Sequence, residues 1–296
     1  MSEKVLGIFT YNLSKSYGER KIFQNLACSF PAGKVSLLIG KNGSGKSTLL
    51  RMIAGAESFD EGDVLVDGLD QLKDRHIILD SLFFVNENFI FTLPHKIEKM
   101  NEVFGPFYSK WSDETYFEWI KKFQLPLKGQ FRALSRGQKM QLLCSIALAT
   151  NAQYLLLDEM TSVLDAHARH LLLNELEKRS AAGATVVLAT NMVLEARELA
   201  DPDVYVLKDA SVFKLTAESI KNFVKIRVAF PNTLPATFWR IPAQKNSDGS
   251  TSFITSSEEL SKLSKDIYQI DRRDNTVEDF FVFHSAIEAA NNEKAA

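Results

Sequence analysis

Nine consecutive residues, Gly40-Lys41-Asn42-Gly43-Ser44-Gly45-Lys46-Ser47-Thr48, carry the most legible chemistry in this chain. They match the pattern G-x-x-x-x-G-K-[ST], a loop that cradles phosphates. Its glycines let successive backbone N–H groups turn inward on an anion, and the helix that follows adds the positive end of its dipole. In such a loop Lys46 reaches the outer phosphates and the Ser47 hydroxyl sits on Mg²⁺. A second candidate is Tyr154-Leu-Leu-Leu-Asp158-Glu159, a short apolar run ending in two carboxylates. Beside a phosphate loop, Asp158 and Glu159 suggest a metal ligand and a water-activating base; carboxylates that merely cap a strand are the alternative. Tyr17, in the turn Ser16-Tyr17-Gly18, is either a platform on which a purine stacks or a turn tyrosine half covered by its neighbours.

These residues need elements to hold them. Lys34-Val-Ser-Leu-Leu-Ile39 reads as a buried strand, and residues 47–54 as a helix stopped at Gly55. Strand, glycine loop and helix in that order are the context the pattern requires. Upstream, apolar runs and turn signals over residues 5–39 predict several short strands, and residues 63–67 one arm of a hairpin. Ser112-Asp-Glu opens a helix with Phe117, Ile120 and Phe123 at helical spacing. The aromatic cluster from Phe89 to Phe123 reads as core rather than binding surface. The segment ends in Leu134-Ser135-Arg136-Gly137-Gln138, followed by an apolar helix to Ala149 in which Cys144 reads as a buried thiol. After Glu159 come a helix over 166–179, a strand over 185–189, a helix over 192–200 and a strand over 204–207. Strands alternating with helices imply an α/β fold, with a largely parallel sheet and its ligand at the carboxyl edge. Beyond residue 217, strands over 224–230 and 252–255 and helices over 258–265 and 278–290 suggest a small α+β appendage. Residues 291–296 read as a frayed tail.

Composition narrows the class. At 296 residues, 45% hydrophobic and 24% charged, the chain suits a globular protein of one large domain or two. A net charge of -2 supplies no basic field, so no nucleic-acid partner is expected. The start lacks signal-peptide character, and no apolar run reaches the 18 residues of a membrane span. Two cysteines in no pattern fit a reducing cytoplasm.

Taken together and in order, the motifs resemble those of the ATP-binding cassette (ABC) ATPases over about residues 3–215. Gly40 to Thr48 is similar to the family's Walker A motif, and Leu155-Leu-Leu-Asp158 with Glu159 to its Walker B and catalytic glutamate. Leu134-Ser135-Arg136-Gly137-Gln138 resembles the LSGGQ signature, with Arg136 where glycine is usual. Ser162-Val-Leu-Asp165 resembles the D-loop, and Tyr17 falls where the family places an adenine-stacking aromatic. Thr276-Val-Glu-Asp-Phe-Phe281 resembles the end of the extra region of drug- and bacitracin-export-type ABC ATPases. The resemblance implies a P-loop NTPase fold with antiparallel β and helical subdomains. It places the ATP-binding domain at 1–216, the helical subdomain at about 88–150 and a C-terminal accessory region at 217–296.

Residue by residue, it implies that Tyr17 stacks on adenine and that the loop from Gly40 to Thr48 holds the phosphates of ATP. Ser47 and Asp158 organise Mg²⁺, and Glu159 polarises the attacking water. Ser135, Arg136, Gly137 and Gln138 would meet the γ-phosphate held by the opposite subunit, so two cassettes, by default two copies, close head-to-tail. An integral membrane subunit in a separate chain is implied, with this chain peripheral on the cytoplasmic face.

Two positions depart from the family. Where it has a glutamine that contacts Mg²⁺ and water, this chain offers Asn86-Glu87-Asn88, with Glu87 aligning best. A carboxylate still ligates Mg²⁺ but adds negative charge beside the γ-phosphate. Where the family has histidine, this chain has Asn191, which donates one amide hydrogen bond and carries no charge. Glu87 and Asn191 therefore predict either slow hydrolysis with intact ATP binding or a compensated pair with ordinary hydrolysis. The leading function is the ATPase subunit of a transporter. The alternatives are an ATP-binding regulatory switch with little hydrolysis and a soluble ABC protein outside transport.

Overall fold

A computed structural model describes residues 6–86, 96–191, 195–208, 210–215, 223–228, 244–245, 250–256 and 268–270. The chain divides into two compact units, 1–214 and 215–296.

The first unit begins with two long strands, β1 (Gly7–Tyr17) and β2 (Arg20–Pro31), where several short ones were expected. They pair as one antiparallel ribbon whose register slips repeatedly between Thr10 and Ser16. Asn12 (φ 48°) and Asn25 (φ 52°) take left-handed backbone along it, which asparagine tolerates better than most residues. Turn-like sequence inside a strand is thus absorbed as irregularity rather than as a break. β3 (Val35–Ile39) follows, buried throughout, and leads through the glycine loop into α1 (Lys46–Ile53). The stop at Gly55 is a Schellman cap: Gly55 N–H donates to Met52 O at 3.1 Å and Ala56 N–H to Arg51 O at 2.8 Å. β4 (Glu61–Val66) pairs with β1 and, through a tight turn at Asp67, with β5 (Leu69–Asp70). The hairpin is present, with Asp67 in its turn (φ 50°) rather than in the strand.

Next come α2 (Arg75–Ser81), β6 (Leu82–Asn86), α3 (Met100–Phe104) and α4 (Asp113–Lys122). Ser112 caps α4 by accepting from Thr115 N–H at 3.1 Å. The apolar face of α4 is Tyr116, Trp119, Ile120 and the capping Phe123, spaced i, i+3, i+4, i+7; Phe117, expected inward, is 37% exposed. Phe107 is 73% exposed, so the aromatic cluster is core only in part; Phe89 and Phe91 lie outside the described residues. α4 packs on α5 (Arg136–Ala149), whose residues from Leu142 to Ala149 are all buried, Cys144 among them.

The remainder alternates as expected: β7 (Tyr154–Asp158), α6 (Ala166–Ala181), β8 (Thr185–Thr190), α7 (Glu195–Glu198), β9 (Asp203–Lys208) and β10 (Ser211–Lys214). α7 is shorter than the expected 192–200 helix, whose residues 192–194 lie outside the described set. The six-stranded sheet has the order β10-β9-β3-β8-β7-β6 and is parallel except for β10, an antiparallel edge strand with no sequence counterpart above. Ile8, Leu13, Phe23 and Phe30 of the ribbon share one core with Leu49, Leu50 and Ile53 of α1 and Leu156 and Val187 of the sheet. Each such side chain, fully buried, contributes about 1.5–3 kcal/mol relative to exposure.

The second unit contains a four-stranded antiparallel sheet of order β12-β13-β11-β14, from β11 (Phe223–Val228), β12 (Gln244–Lys245), β13 (Thr251–Ser256) and β14 (Gln269–Ile270). Ile226 and Val228 of β11 are buried. The helices expected over 258–265 and 278–290, the tail and the segment Thr276 to Phe281 fall outside the described residues.

Candidate functional site

Strand register builds the site. Ile39 at the end of β3 pairs with Thr190 at the end of β8, and Ala189 pairs with Asp158 at the end of β7. Gly40, Glu159 and Asn191, the residues that follow these ends, therefore leave the sheet along one carboxyl edge. Asn86 ends β6 opposite Asp158; Glu87 itself lies outside the described residues.

The glycine loop has the backbone its pattern implies. Gly45 begins α1 at φ 111°, and a Cβ there would meet the Phe23 ring at 2.7 Å, so both conformation and space require glycine. Lys46 is buried (3% exposed). Its ammonium donates to Gly40 O at 2.7 Å and Lys41 O at 3.2 Å and lies 3.4 Å from Glu159 Oε1. The phosphate-loop lysine and the candidate base, 113 positions apart in sequence, are thus in contact.

Asp158 is buried, and its Oδ1 has no hydrogen-bond partner among the described residues. Burial raises its pKa; the Ser47 hydrogen bond opposes that, neighbouring Glu159 adds to it, and Lys46 and Arg51 oppose it. An orphaned carboxylate oxygen beside a serine hydroxyl fits a hard divalent cation. No cluster of three or more His, Cys, Asp and Glu that could hold a metal occurs among the described residues. Glu159 holds left-handed backbone (φ 52°), a conformation costing roughly 1–3 kcal/mol in a non-glycine residue. Two bonds hold it there: its N–H donates to Ala189 O at 2.9 Å, and its carbonyl accepts from Ser162 Oγ at 2.9 Å.

Asn191 is exposed and turned back onto the loop: Nδ2 donates to Asn42 Oδ1 at 3.1 Å. Tyr17 is 45% exposed at the end of β1. The remaining predicted groups are engaged in helix starts. Ser135 caps α5: its Oγ accepts from Gln138 N–H at 3.2 Å while Gln138 Oε1 accepts from Ser135 N–H at 3.0 Å. This capping box was legible as S-x-x-Q in the sequence. A Cβ on Gly137 would meet Val163 O at 3.2 Å, so the signature helix begins hard against the segment after β7. Arg136 is exposed at the first turn. Asp165 caps α6 by accepting from Ala168 N–H at 2.9 Å.

Sequence reading missed Glu195. It is fully buried, with neither carboxyl oxygen hydrogen-bonded among the described residues. Burial pushes its pKa up to about 7, against the pull of the Thr161 and Thr190 hydroxyls and Arg169 and with a push from Glu198. Thr161 follows Glu159 by two residues and Thr190 precedes Asn191, so this carboxyl lies behind both loops. Its sequence context, an exposed-looking glutamate in a short helix, carries no signal of burial.

Comparison with known proteins identifies the family. A profile described as ABC transporter matches residues 23–162. The chain is 31% identical over 207 residues to the glutamine transport ATP-binding protein GlnQ of Escherichia coli, covering 67% of this chain and 86% of that protein. It is 34% identical over 194 residues to the Nod factor export ATP-binding protein I of Rhizobium leguminosarum bv. viciae, covering 64% of this chain and 62% of that one, less than two thirds of its length. It is 28% identical over 221 residues to the ABC transporter ATP-binding protein YtrB of Bacillus subtilis, covering 74% and 75%. Among solved structures, an ATP-binding subunit of an ABC transporter superposes with a TM-score of 0.66 at 22% identity, over 73% of this chain and 92% of that one. A dimeric, post-hydrolysis ATP-binding cassette bound to ADP and Pi superposes with a TM-score of 0.61 at 26% identity, over 71% and 99%.

Proposed function

The chain belongs to the family of ABC transporter ATP-binding proteins, and from that premise we propose that it binds Mg-ATP at the loop from Gly40 to Thr48 and hydrolyses it slowly between two head-to-tail copies. One observation carries the reading: Lys46 lies 3.4 Å from Glu159, beside an Asp158 oxygen left without a partner. Phosphate, metal and water chemistry converge there. Ser47 and Asp158 would hold Mg²⁺, which supplies charge neutralisation of the phosphates. Phosphoryl transfer is mostly positioning and charge stabilisation. Lys46 trades loop carbonyls for phosphate oxygens, and Glu159, freed from Lys46, orients the water and takes its proton. Ser135, Arg136, Gly137 and Gln138 complete the partner's site on closure and help exclude solvent. Residues 1–216 form the ATPase unit, 217–296 an accessory region, and a separate integral membrane chain is driven from its cytoplasmic face. No helix among the described residues is long and apolar enough to cross a membrane, in keeping with a separate spanning partner.

A second reading, an ATP-dependent switch with little hydrolysis, is favoured by Asn191. One of its two amide N–H donors is bound to Asn42, and the side chain carries neither an ionisable proton nor a positive charge for the γ-phosphate. Phosphate release by the wild type and Glu159→Gln, with light scattering in Mg-ATP, separates the two. The motor predicts slow release by the wild type, and none by the variant, which remains an ATP-dependent dimer. Dimers from both proteins with release from neither identify the switch.

A further inference from the structure

The turn that carries Tyr17 is tied to the phosphate-binding helix through a carboxylate the motifs do not include. Glu57 accepts a hydrogen bond from the Tyr17 hydroxyl on Oε1 and one from Arg51 Nε on Oε2 at 2.9 Å. Arg51 is in the last turn of α1, and its carbonyl also receives the Glu57 N–H at 3.2 Å, so Glu57 is anchored to that residue through both backbone and side chain. Lys15 sits beneath the ring, its ammonium 5.0 Å from the ring centroid and 3.5 Å from Glu57 Oε1. Lys15 is 7% exposed while Tyr17 is 45% exposed, so the cation covers one face of the ring and solvent meets the rest. A second tie crosses the same gap, from Arg20 Nη2 to Gly43 O at 3.4 Å.

We propose that Glu57 is a positioning residue that clasps the Tyr17 ring to α1, so that the stacking surface for a purine base and the seat of its phosphates are held as one body. The proposal rests on the reading of Tyr17 as the base platform. An aromatic side chain in an open turn must be ordered when a base stacks on it, and that ordering weakens binding. A hydroxyl donated to a carboxylate is a charge-assisted bond, strong enough to settle the ring beforehand. The carboxylate is itself held between Arg51 and Lys15. With Lys15 below, one ring face is left for the base. Glu57 touches neither base nor phosphate; it acts through Tyr17.

The test compares Tyr17→Phe, Glu57→Gln and Tyr17→Ala for calorimetric affinity toward Mg-ATP and toward inorganic tripolyphosphate with Mg²⁺, a probe that has phosphates and no base. Tyr17→Phe keeps the ring and loses only the tether. The expected result is ATP binding about three- to tenfold weaker in Tyr17→Phe and Glu57→Gln, and tripolyphosphate binding unchanged in both. Tyr17→Ala, which removes the platform, should weaken ATP binding about tenfold or more, again sparing tripolyphosphate. Wild-type ATP affinity in Tyr17→Phe overturns the clasp. Equal losses for ATP and tripolyphosphate in Glu57→Gln also overturn it, since Glu57 then acts on the phosphate loop through Arg51. An unaffected Tyr17→Ala overturns the platform reading itself, a separate failure. Should Glu57→Gln fold poorly because Lys15 loses its buried counter-charge, Tyr17→Phe decides alone.

Discussion

At the scale of single residues, Asn191 and Glu195 have the most direct consequences. Asn191 stands at the carboxyl edge where the family's histidine was expected, and its amide nitrogen donates to Asn42. A donor lost from transition-state charge commonly costs about 10²–10³ in rate. On the proposed reading, Asn191→His raises phosphate release at saturating Mg-ATP by about tenfold or more, up to that range. Unchanged release with normal ATP affinity would mean that the site is compensated elsewhere. Glu195 bears on stability. Its pKa rises from the ordinary 4.5 to about 7 because burial disfavours the charged form, so the folded chain keeps its proton longer than the unfolded one. The resulting stabilisation is fully present below about pH 4.5 and is lost as the pH climbs to about 7, on the order of 3 kcal/mol. Glu195→Gln stays neutral throughout. Its thermal midpoint should exceed that of the wild type at pH 8 and converge with it near pH 5. A difference independent of pH would show that the carboxyl does not titrate in this range.

At the scale of elements, the motifs turn out to double as helix starts. Gly45 opens α1, the Ser135–Gln138 capping box opens α5 and Asp165 opens α6. Each start aims backbone N–H groups and a positive dipole end along the helix axis, which suits anion chemistry. It also means that a substitution at a motif position has two effects, on chemistry and on folding. Asp165 allows the two to be separated. Asp165→Ala removes the acceptor for Ala168 N–H and should cost about 1 kcal/mol, whereas Asp165→Asn, another good cap, should cost only a few tenths. Chemical denaturation of the two variants measures this directly. Any loss of phosphate release common to both then belongs to the carboxylate charge rather than to the helix. Element types were largely legible in sequence because apolar periodicity and capping chemistry are local. The misreadings were local as well. Turn-like residues within β1 and β2 read as breaks, and Phe117 read as buried because its spacing from Ile120 and Phe123 is helical, whereas Tyr116 and Trp119 face the core.

At the scale of the whole molecule, the proposed reading makes function depend on two copies together, with the signature residues of each serving the phosphates of the other. A symmetric pair is self-complementary, so each copy offers its loop and receives a signature. Dimerisation of Glu159→Gln should therefore need both Mg-ATP and sufficient protein concentration, and light scattering reads both dependences. The 296 residues by themselves determined the phosphate loop, the acid-tipped strand and the α/β alternation, because each is a short run whose residue types carry their own chemistry, while the signature and the two departures were legible only through the family resemblance. Tertiary structure decided the rest. Register between β3, β7 and β8 brings Gly40, Glu159 and Asn191 to one edge, although Gly40 lies more than a hundred positions from the other two and no local pattern encodes such pairing. Long-range packing likewise buries the Glu195 carboxyl against the Thr161 and Thr190 hydroxyls and lets Glu57 join Tyr17 to Arg51. Charges and hydrogen bonds act through space, and these distances exist only once the chain has folded.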